Sequence, residues 1–304
     1  MSRASDVLVL GGTGQVGGAL LRALDAAGIA WRASTRTGAL PDGRPCARVD
    51  LAEPGSAAAA IATLRPALVI NATAYTAVDK AESEPALAQR INAEAVSEIG
   101  EAAKRAGARV VHYSTDYVFP GDATRPYSED DATGPVSAYG RSKLAGEQAL
   151  TVSGADALTL RLAWVYAATG QNFLRTMLRV GSERDALRVV ADQIGAPTPA
   201  HWIADATLRA IDAGASGLYH LTPQGQTSWH GYAESIFEGA VARGLLGHAP
   251  RVDAISTSEY PTPAARPAWS VLDSSKLQRD AGVRMPDWRR GLDEVLDHMT
   301  AMAR

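Results

Sequence analysis

The chain has 304 residues, of which 46% are hydrophobic and 21% are charged, and its formal net charge is −3. This length and apolar content suffice for a large core, divided between one large domain and one smaller one. Because neither sign of charge dominates, composition gives no case for binding to nucleic acid or to a membrane surface, and we expect neither partner.

The N-terminal apolar run and the lone cysteine bear on cellular location. The run at residues 7–10 is too short for the core of a signal peptide, and no stretch approaches the ~18 apolar residues of a membrane span. Cys46 is the single cysteine, so an intrachain disulfide cannot form. We therefore expect a cytoplasmic protein in which Cys46 is an inert loop thiol.

Short apolar runs alternate with helical patterns in the first half of the chain. Strands are predicted at about residues 7–10, 30–35, 67–70, 109–113 and 158–160, and helices near 15–27, 56–64, 84–105 and 137–150. Strands that alternate with helices of this length predict right-handed βαβ units and a parallel sheet. The predicted fold class is therefore α/β, with a Rossmann-type doubly wound parallel sheet.

The pattern changes after about Leu162. Strands are predicted near 187–190 and 217–220, helices near 201–213 and 287–302, and a proline-rich loop at 260–267. We predict a dinucleotide-binding Rossmann domain at 1–162 and a smaller, C-terminal substrate-binding lobe at 163–304 that is interleaved with the first domain.

Three glycines follow the first predicted strand and open the first predicted helix. Gly11, Gly14 and Gly17 have two residues between each pair. Glycine permits a tight turn and a close approach of backbone amides to a pyrophosphate, and the helix N-terminus adds partial positive charge. A glycine cluster alone is weak evidence, but its place after an N-terminal strand favours dinucleotide binding. We expect this turn, with Gln15 and Val16, to hold the cofactor.

The end of the second strand bears on the choice of cofactor. An acidic residue here would hold the ribose 2′-hydroxyl of NAD, but the strand ends in Ser34-Thr35-Arg36. Arg36 can pair with a 2′-phosphate, which favours NADPH, although a solvated surface arginine is an equal alternative and NADH remains open. Asp50 and Leu51 follow the third strand and are candidates for contact with the adenine amino group.

Tyr139 and Lys143 lie four residues apart in a predicted helix, so both side chains lie on one face. A reductase needs a proton donor for the oxygen that becomes a hydroxyl. A nearby ammonium lowers the pKa of a tyrosine phenol from its ordinary value of about 10. The spacing is common by chance, and a surface pair is the usual alternative.

Polar residues at two strand ends strengthen the catalytic interpretation. Thr115 follows the strand at 109–113, at the sheet edge where ligands of parallel sheets bind, and its hydroxyl can polarise a carbonyl. The strand of the preceding βαβ unit is followed by small and polar residues, which suit a segment that lies under nicotinamide. Its cofactor-binding candidates are Ala72, Thr73, Ala74, Tyr75 and Thr76.

These motifs together resemble those of the extended short-chain dehydrogenases/reductases, and more closely those of the dTDP-4-dehydrorhamnose reductase family. The similar segments include residues 14–17 (GQVG), 76–82 (TAVDKAE), 112–119 (HYSTDYVF), 143–147 (KLAGE) and 192–198 (DQIGAPT). The similarity covers nearly the whole chain. It implies NADPH-dependent reduction of the 4-keto group of a nucleotide-linked deoxysugar, dTDP-4-dehydro-L-rhamnose.

The resemblance also implies roles for particular residues. Tyr139 would be the proton donor, Lys143 its partner and Thr115 the hydroxyl that orients the carbonyl, while Tyr113 would join the cofactor-binding residues. The residues implied to contact the small-molecule nucleotide sugar are Val78, Asp116, Trp164, Gln193 and Arg266.

Some positions depart from the family pattern. Tyr75 stands where histidine is frequent, and Ala265 stands before Arg266 where a second basic residue is common. Ala19 and His201 replace acidic residues that help to hold magnesium between subunits in some members, and magnesium requires oxygen ligands. We therefore expect no metal site, and a monomer or weak homodimer.

Three other functions compete with reduction of this substrate. A dehydratase of the same fold would carry a carboxylate where Tyr117 stands. An epimerase, or a reductase of a different deoxysugar, is harder to separate by sequence. A non-catalytic regulatory subunit that binds NADP is the rival from another class, and the intact set of Thr115, Tyr139 and Lys143 argues against it.

Overall fold

The computed structural model describes residues 7–303. Its thirteen strands, in chain order, are β1 Val7–Leu10, β2 Trp31–Thr35, β3 Ala47–Arg48, β4 Leu68–Asn71, β5 Arg109–Thr115, β6 Ala157–Leu162, β7 Val165–Tyr166, β8 Ala186–Val190, β9 Ile194–Gly195, β10 Thr198–Pro199, β11 Gly217–His220, β12 Thr227–Ser228 and β13 Arg251–Ile255.

Within residues 7–303, eleven α-helices connect or cover these strands. They are α1 Gln15–Ala26, α2 Ser56–Leu64, α3 Val78–Ser83, α4 Pro85–Gln89, α5 Ala95–Ala106, α6 Ala138–Ser153, α7 Phe173–Glu183, α8 Ala200–Asp212, α9 Trp229–Ala242, α10 Ser275–Ala281 and α11 Trp288–Ala303. A π-helical segment, Arg90–Glu94, joins α4 to α5, and short 3₁₀ turns lie at Asp116–Val118 and Thr257–Glu259.

A seven-stranded parallel sheet in the order β11-β6-β5-β4-β1-β2-β3 forms the centre of the structure. The predicted α/β class with a Rossmann-type sheet is confirmed. Strand order reverses at β1, which pairs with β4 on one side and β2 on the other, and ligands of doubly wound sheets bind at such a switch point.

Helices cover both faces of the sheet, which explains why β1 is apolar at every position. Val7 and Val9 face a core that includes α1 and α8, whereas Leu8 and Leu10 face a second core that includes α2 and α5. Alternate residues of a strand point to opposite faces, so a strand buried on both sides needs a continuous apolar run.

The second half of the chain contributes to the sheet and also forms its own core. Strand β11 pairs with β6 at the sheet edge, and α8 packs on α1. A separate cluster joins α7, α9 and α11 with strands β8 and β13 around Tyr232, Phe237 and Trp288. A boundary at residue 162 with interleaved lobes stays a prediction. Helices α7 and α9 and strand β13 were not predicted from the sequence.

The helix predicted at 84–105 is interrupted. Asn92 lies in the π-helical segment, where its carboxamide accepts from the Tyr75 amide at 2.8 Å and donates to the Tyr75 carbonyl at 3.0 Å. Its amide also donates to the Ser142 hydroxyl of α6 at 3.0 Å. Single π-turns within helices are frequent at functional sites, and this one ties the exit of β4 to α6.

A buried ion pair fixes α6 to the sheet. The Arg161 guanidinium of β6 donates to both carboxylate oxygens of Glu147, at 2.9 Å and 2.7 Å, and the two side chains are 3% and 9% exposed. Arg161 also lies over the Phe119 ring at 5.0 Å. Such a pair is costly to break from one side, because the remaining charge stays buried without a counter-ion.

We expect Glu147→Ala to lower the free energy of unfolding by ~3–5 kcal/mol, since Arg161 loses its buried counter-charge. Glu101→Ala is the matched control, because Glu101 is exposed and pairs with Arg105 at 3.7 Å on the surface of α5. That substitution is expected to cost less than ~1 kcal/mol. Chemical denaturation measures both, and equal losses would contradict this account of the ion pair.

Candidate active site

A cleft of about 720 Å³ opens at the carboxyl ends of β4 and β5, beside the start of α1. Most of the residues expected at the site line it. They are Gly14, Gln15, Val16, Ala72, Thr73, Ala74, Thr76, Val78, Tyr113, Thr115, Asp116, Tyr139, Lys143 and Trp164. The structure therefore brings the glycine turn, both polar strand exits and the helical tyrosine–lysine pair to one place.

The first turn is shaped to hold an anion. Gly11 has a φ of +85°, and a Cβ there would meet the Thr73 side chain at 2.7 Å. A Cβ at Gly17 would collide with the Gly11 carbonyl. Gly14 is the N-cap of α1, so no side chain in the described part of the chain caps that helix. Its first-turn amides are free to meet a phosphate, and a dinucleotide pyrophosphate fits this cradle.

The expected adenosine contacts lie outside the cleft lining. Arg36 follows β2 directly and is exposed to solvent. The Asp50 carboxylate accepts from the Ala52 amide at 3.0 Å, and Leu51 is buried. These residues follow β2 and β3, farther along the sheet edge than the tyrosine–lysine pair.

Thr115 and Tyr139 meet at the end of β5. The Thr115 hydroxyl donates to Asp116 Oδ1 at 2.9 Å and accepts from the Tyr117 amide at 3.2 Å. Tyr139 lies in the first turn of α6, where the Ser137 hydroxyl caps the helix by accepting from the Gly140 amide at 3.1 Å. The Tyr139 ring packs edge-on against Tyr117, with ring centres 5.7 Å apart.

Burial shifts both members of the tyrosine–lysine pair toward their neutral forms. It raises the pKa of Tyr139 to about 12, although a hydrogen bond with Thr115 opposes the shift. Burial also lowers the pKa of Lys143 to about 8, against the charge of Glu147. Lys143 Nζ donates to the Tyr113 carbonyl at 2.6 Å, which anchors it beneath the cleft. A phenol that keeps its proton at neutral pH is suited to donate it.

Two buried oxygens in the cleft lack a partner. Asp116 Oδ2 and Ser114 Oγ have no hydrogen-bond partner among the residues that the structure describes. Burial raises the pKa of Asp116 to about 6, while the nearby hydroxyls of Ser270 and Thr115 oppose the shift. Buried polar groups are nearly always satisfied, so these two oxygens fit a ligand that carries hydroxyl groups.

An aromatic pair forms one wall of the cleft. The rings of Trp164 and Trp229 stack with centres 3.5 Å apart and planes 5° apart, and both line the cavity. Trp164 has a φ of 45°, a left-handed conformation that costs energy for a bulky residue. Such strained residues cluster at functional sites.

Three residues that were expected to contact a ligand instead contact other side chains of this protein. Arg266 pairs with Asp79, with Nη1–Oδ1 at 3.0 Å and Nη2–Oδ2 at 2.8 Å. Gln193 donates to the Thr257 hydroxyl at 3.0 Å, and Tyr75 donates from its phenol to Glu84 at 2.8 Å. These three residues lie outside the cleft lining, and so do five other expected contacts: Gly11, Gly17, Arg36, Asp50 and Leu51. The ligand roles of all eight stay predictions.

Several residues that line the cleft were not predicted from the sequence. They are Thr13, Ser114, Tyr117, Leu162, Val165, Gly170, Gln171 and Trp229. Their adjacency in sequence to predicted site residues could have identified Thr13, Ser114 and Tyr117 as lining residues. Trp229 begins α9, far along the chain, and no local pattern links it to the sheet edge.

The positions associated with magnesium have other contacts here. Ala19 is buried in α1, and His201 Nε2 lies 3.0 Å from Glu294 Oε2. The Trp202 indole donates to the same carboxylate oxygen at 2.7 Å. Residues 7–303 contain no group of three or more His, Cys, Asp or Glu side chains placed to hold a metal ion. Within that range, no helix has the length and apolar character to cross a membrane.

Comparison with known proteins supplies the family. The family described as RmlD substrate binding domain matches residues 5–301. A Burkholderia thailandensis dTDP-4-dehydrorhamnose reductase is 48% identical, over 93% of this chain and 95% of the relative. The enzyme of the same name from Salmonella typhimurium is 44% identical, over 97% and 98% of the two chains.

Solved structures agree with these relatives. The Clostridium acetobutylicum dTDP-4-dehydrorhamnose reductase has a TM-score of 0.88 and 34% identity, over 96% of this chain and 99% of that one. The Bacillus anthracis enzyme, solved in complex with NADP, has a TM-score of 0.88 and 32% identity, over 97% and 100%. The resemblance to the dTDP-4-dehydrorhamnose reductases inferred from the motifs is confirmed: this chain belongs to that family.

Proposed function

We propose that this protein uses NADPH to reduce the C4 keto group of dTDP-4-dehydro-L-rhamnose, giving dTDP-L-rhamnose. The observation that carries the proposal is that Tyr139, Lys143 and Thr115 line one cleft. The cleft lies at the switch point of the sheet, beside the N-terminus of α1, which no described side chain caps. The full-length relatives that bear the reductase name, and the NADP complex of one of them, support it.

The residues divide the work of the reaction. When bound, NADPH supplies the hydride that C4 receives. Thr115 orients the carbonyl oxygen with its hydroxyl, and Tyr139 gives that oxygen its phenolic proton as the new hydroxyl forms. Lys143 holds a positive charge under the cleft, which stabilises the phenolate that Tyr139 becomes. Fixed placement of these groups removes much of the entropic barrier to the reaction.

The binding roles are also part of the proposal. The Gly14 turn and the amides of Gln15 and Val16 bind the pyrophosphate, and the exit of β4 at 72–76 lies along the nicotinamide side. Asp116, whose Oδ2 has no partner among the described residues, accepts from a sugar hydroxyl, and Trp164 packs on the sugar.

The dehydratase alternative fits the cleft less well, and an assay separates the other two alternatives from a reductase. A dehydratase needs a base where Tyr117 stands, yet burial and the Asp116 charge raise the pKa of that phenol far above neutral pH. An epimerase would return its cofactor unchanged, and a regulatory subunit would bind cofactor without turnover. Steady oxidation of NADPH upon addition of the keto sugar separates all three from a reductase, and its absence would refute the proposed activity.

Assembly and location complete the proposal. We infer a monomer or weak homodimer, because Ala19 and His201 offer no acidic ligands for a bridging magnesium ion. A cytoplasmic location suits the single cysteine, Cys46, which is free.

Tyr139→Phe should lower kcat by ~10²–10⁴-fold, since it removes the proton donor and keeps the ring. The dissociation constant for NADPH and the circular dichroism spectrum should be unchanged. Tyr219→Phe is the matched control, because that phenol donates to Asp280 at 3.2 Å on the β11 edge. Turnover of the Tyr139 variant within a few-fold of the unmodified enzyme would remove Tyr139 as the proton donor.

The pH dependence of kcat/KM should show an alkaline limb centred near pH 8. Burial lowers the pKa of Lys143 to about 8, so its ammonium is present below that pH and is lost above it. Because the pKa of Tyr139 is raised to about 12, the phenol keeps its proton throughout that range. A profile that stays flat to pH ~10, the ordinary range for lysine, would contradict this assignment.

Arg36→Ala should raise the KM for NADPH about 10- to 100-fold and leave the KM for NADH nearly unchanged, because a charge-assisted contact with the 2′-phosphate is lost. Arg44→Ala is the control, since Arg44 pairs with Asp42 and lies over Trp31 on a nearby surface. Equal effects on the two cofactors would show that Arg36 does not read the 2′-phosphate.

A further inference from the structure

A buried histidine with no role in the proposed reaction contacts Lys143. His112 lies in the middle of β5, is 0% exposed, and pairs in register with Asn71 of β4 and Thr159 of β6. Its Nε2 is 3.5 Å from Lys143 Nζ. A polar ring at the centre of a sheet is costly unless it is hydrogen-bonded, so its partners decide what it does.

Hydrogen bonds behind the cleft fix the position of the ring proton. Asn71 Oδ1 accepts from the Thr73 amide at 3.2 Å and from the Thr73 hydroxyl. The carboxamide therefore turns its Nδ2 toward His112 Nδ1, at 3.2 Å. An amide nitrogen can only donate, so Nδ1 accepts and the proton of the neutral imidazole resides on Nε2. Burial, and then the charge of Lys143, hold the pKa of His112 well below its ordinary value.

The Nε2 proton then points at Lys143. An ammonium group has donors but no acceptor, whereas a neutral amine has a lone pair that can accept. The second contact of Lys143, to the Tyr113 carbonyl, suits either form because the nitrogen donates in both. The imidazole thus discriminates between the two protonation states of Lys143, which the carbonyl does not.

Other charged and titratable groups surround Lys143. Glu147, one turn along α6, favours the ammonium, but its carboxylate is shared with Arg161 of β6. On the cleft side are Tyr139 and Asp116. None of these donates a hydrogen bond to Lys143 Nζ in the part of the chain that the structure describes, so His112 is the group placed to oppose Glu147.

We propose that His112 is a positioning residue whose Nε2 proton favours the neutral amine of Lys143, so that Lys143 passes its proton on during turnover. The inference rests on the proposed reductase function. Tyr139 gives its proton to the C4 oxygen, Lys143 loses one as the phenol is restored, and solvent in the cleft returns a proton to the amine. Asn71 and Thr73 hold the imidazole in the orientation that this exchange needs.

A measurement of which His112 ring nitrogen carries the proton tests the first half of the inference. It does not require the enzyme to turn over. Nitrogen-15 chemical shifts in the cofactor-free protein distinguish the two neutral tautomers and the imidazolium, and His112 is assigned among the six histidines through its backbone resonances. We expect the Nε2–H tautomer from pH about 6 to about 9. A proton on Nδ1, or a cationic ring in that range, would overturn the inference even if the enzyme proves to be a reductase.

The effect on Lys143 is tested with His112→Asn. The shorter carboxamide reaches the place of Nδ1, and so keeps the contact with Asn71, but it removes the group at Nε2. The alkaline limb of kcat/KM should move up by about one pH unit, which is the effect of losing one hydrogen bond that favours the neutral amine. Thr159→Val is the control, since Thr159 neighbours His112 in register on β6 and should leave the limb in place.

An alkaline limb that stays in place in His112→Asn, while the unmodified enzyme reduces the keto sugar, would overturn the role of His112 and leave the proposed function standing. Absence of turnover in the unmodified enzyme would refute the proposed function, and the tautomer measurement would still decide the placement of the ring proton. Thermal unfolding and circular dichroism of each variant verify that the changes in pH profile come from folded protein.

Discussion

The burial of one ammonium group against the central sheet is the constraint on which the site depends. Lys143 is 2% exposed, and a cation removed from water is stable only where nearby groups compensate it. The Tyr113 carbonyl accepts its hydrogen bond, Glu147 supplies opposite charge, and Arg161 binds both oxygens of that carboxylate. The same contacts hold α6 close to β5, and Tyr139 is carried on that helix.

Close packing on the other side of α6 completes this arrangement. Gly146 lies so close to the Asn92 carbonyl that a side chain at this position would collide with it. Asn92 can hold the peptide of Tyr75 and the hydroxyl of Ser142 together because the π-helical turn brings its side chain between them. The exit of β4, the end of β5 and the first turn of α6 are thus parts of one packed unit.

Features that depend on local pattern could be predicted from the sequence. Apolar runs gave the positions of the main strands, and the glycine turn after β1 and the i, i+4 spacing of Tyr139 and Lys143 located the two halves of the cleft. Features that arise from contacts between distant segments could not. Three such contacts join residues from different parts of the chain. They are the stacking of Trp164 on Trp229, the ion pair of Arg266 with Asp79 and the contact of His112 with Lys143. The break at 90–94 follows from Asn92 bonding to the β4 exit, which helix periodicity does not encode.

The proposed reaction requires that Tyr139 and Thr115 meet the C4 oxygen of a nucleotide sugar beside the nicotinamide. A crystal structure of the complex with NADP and dTDP-L-rhamnose tests it most directly. We expect the Tyr139 phenol and the Thr115 hydroxyl both to lie about 3 Å from the O4 oxygen, with the nicotinamide facing C4. A nicotinamide bound away from Tyr139, or a sugar whose O4 points away from both hydroxyls, would contradict it.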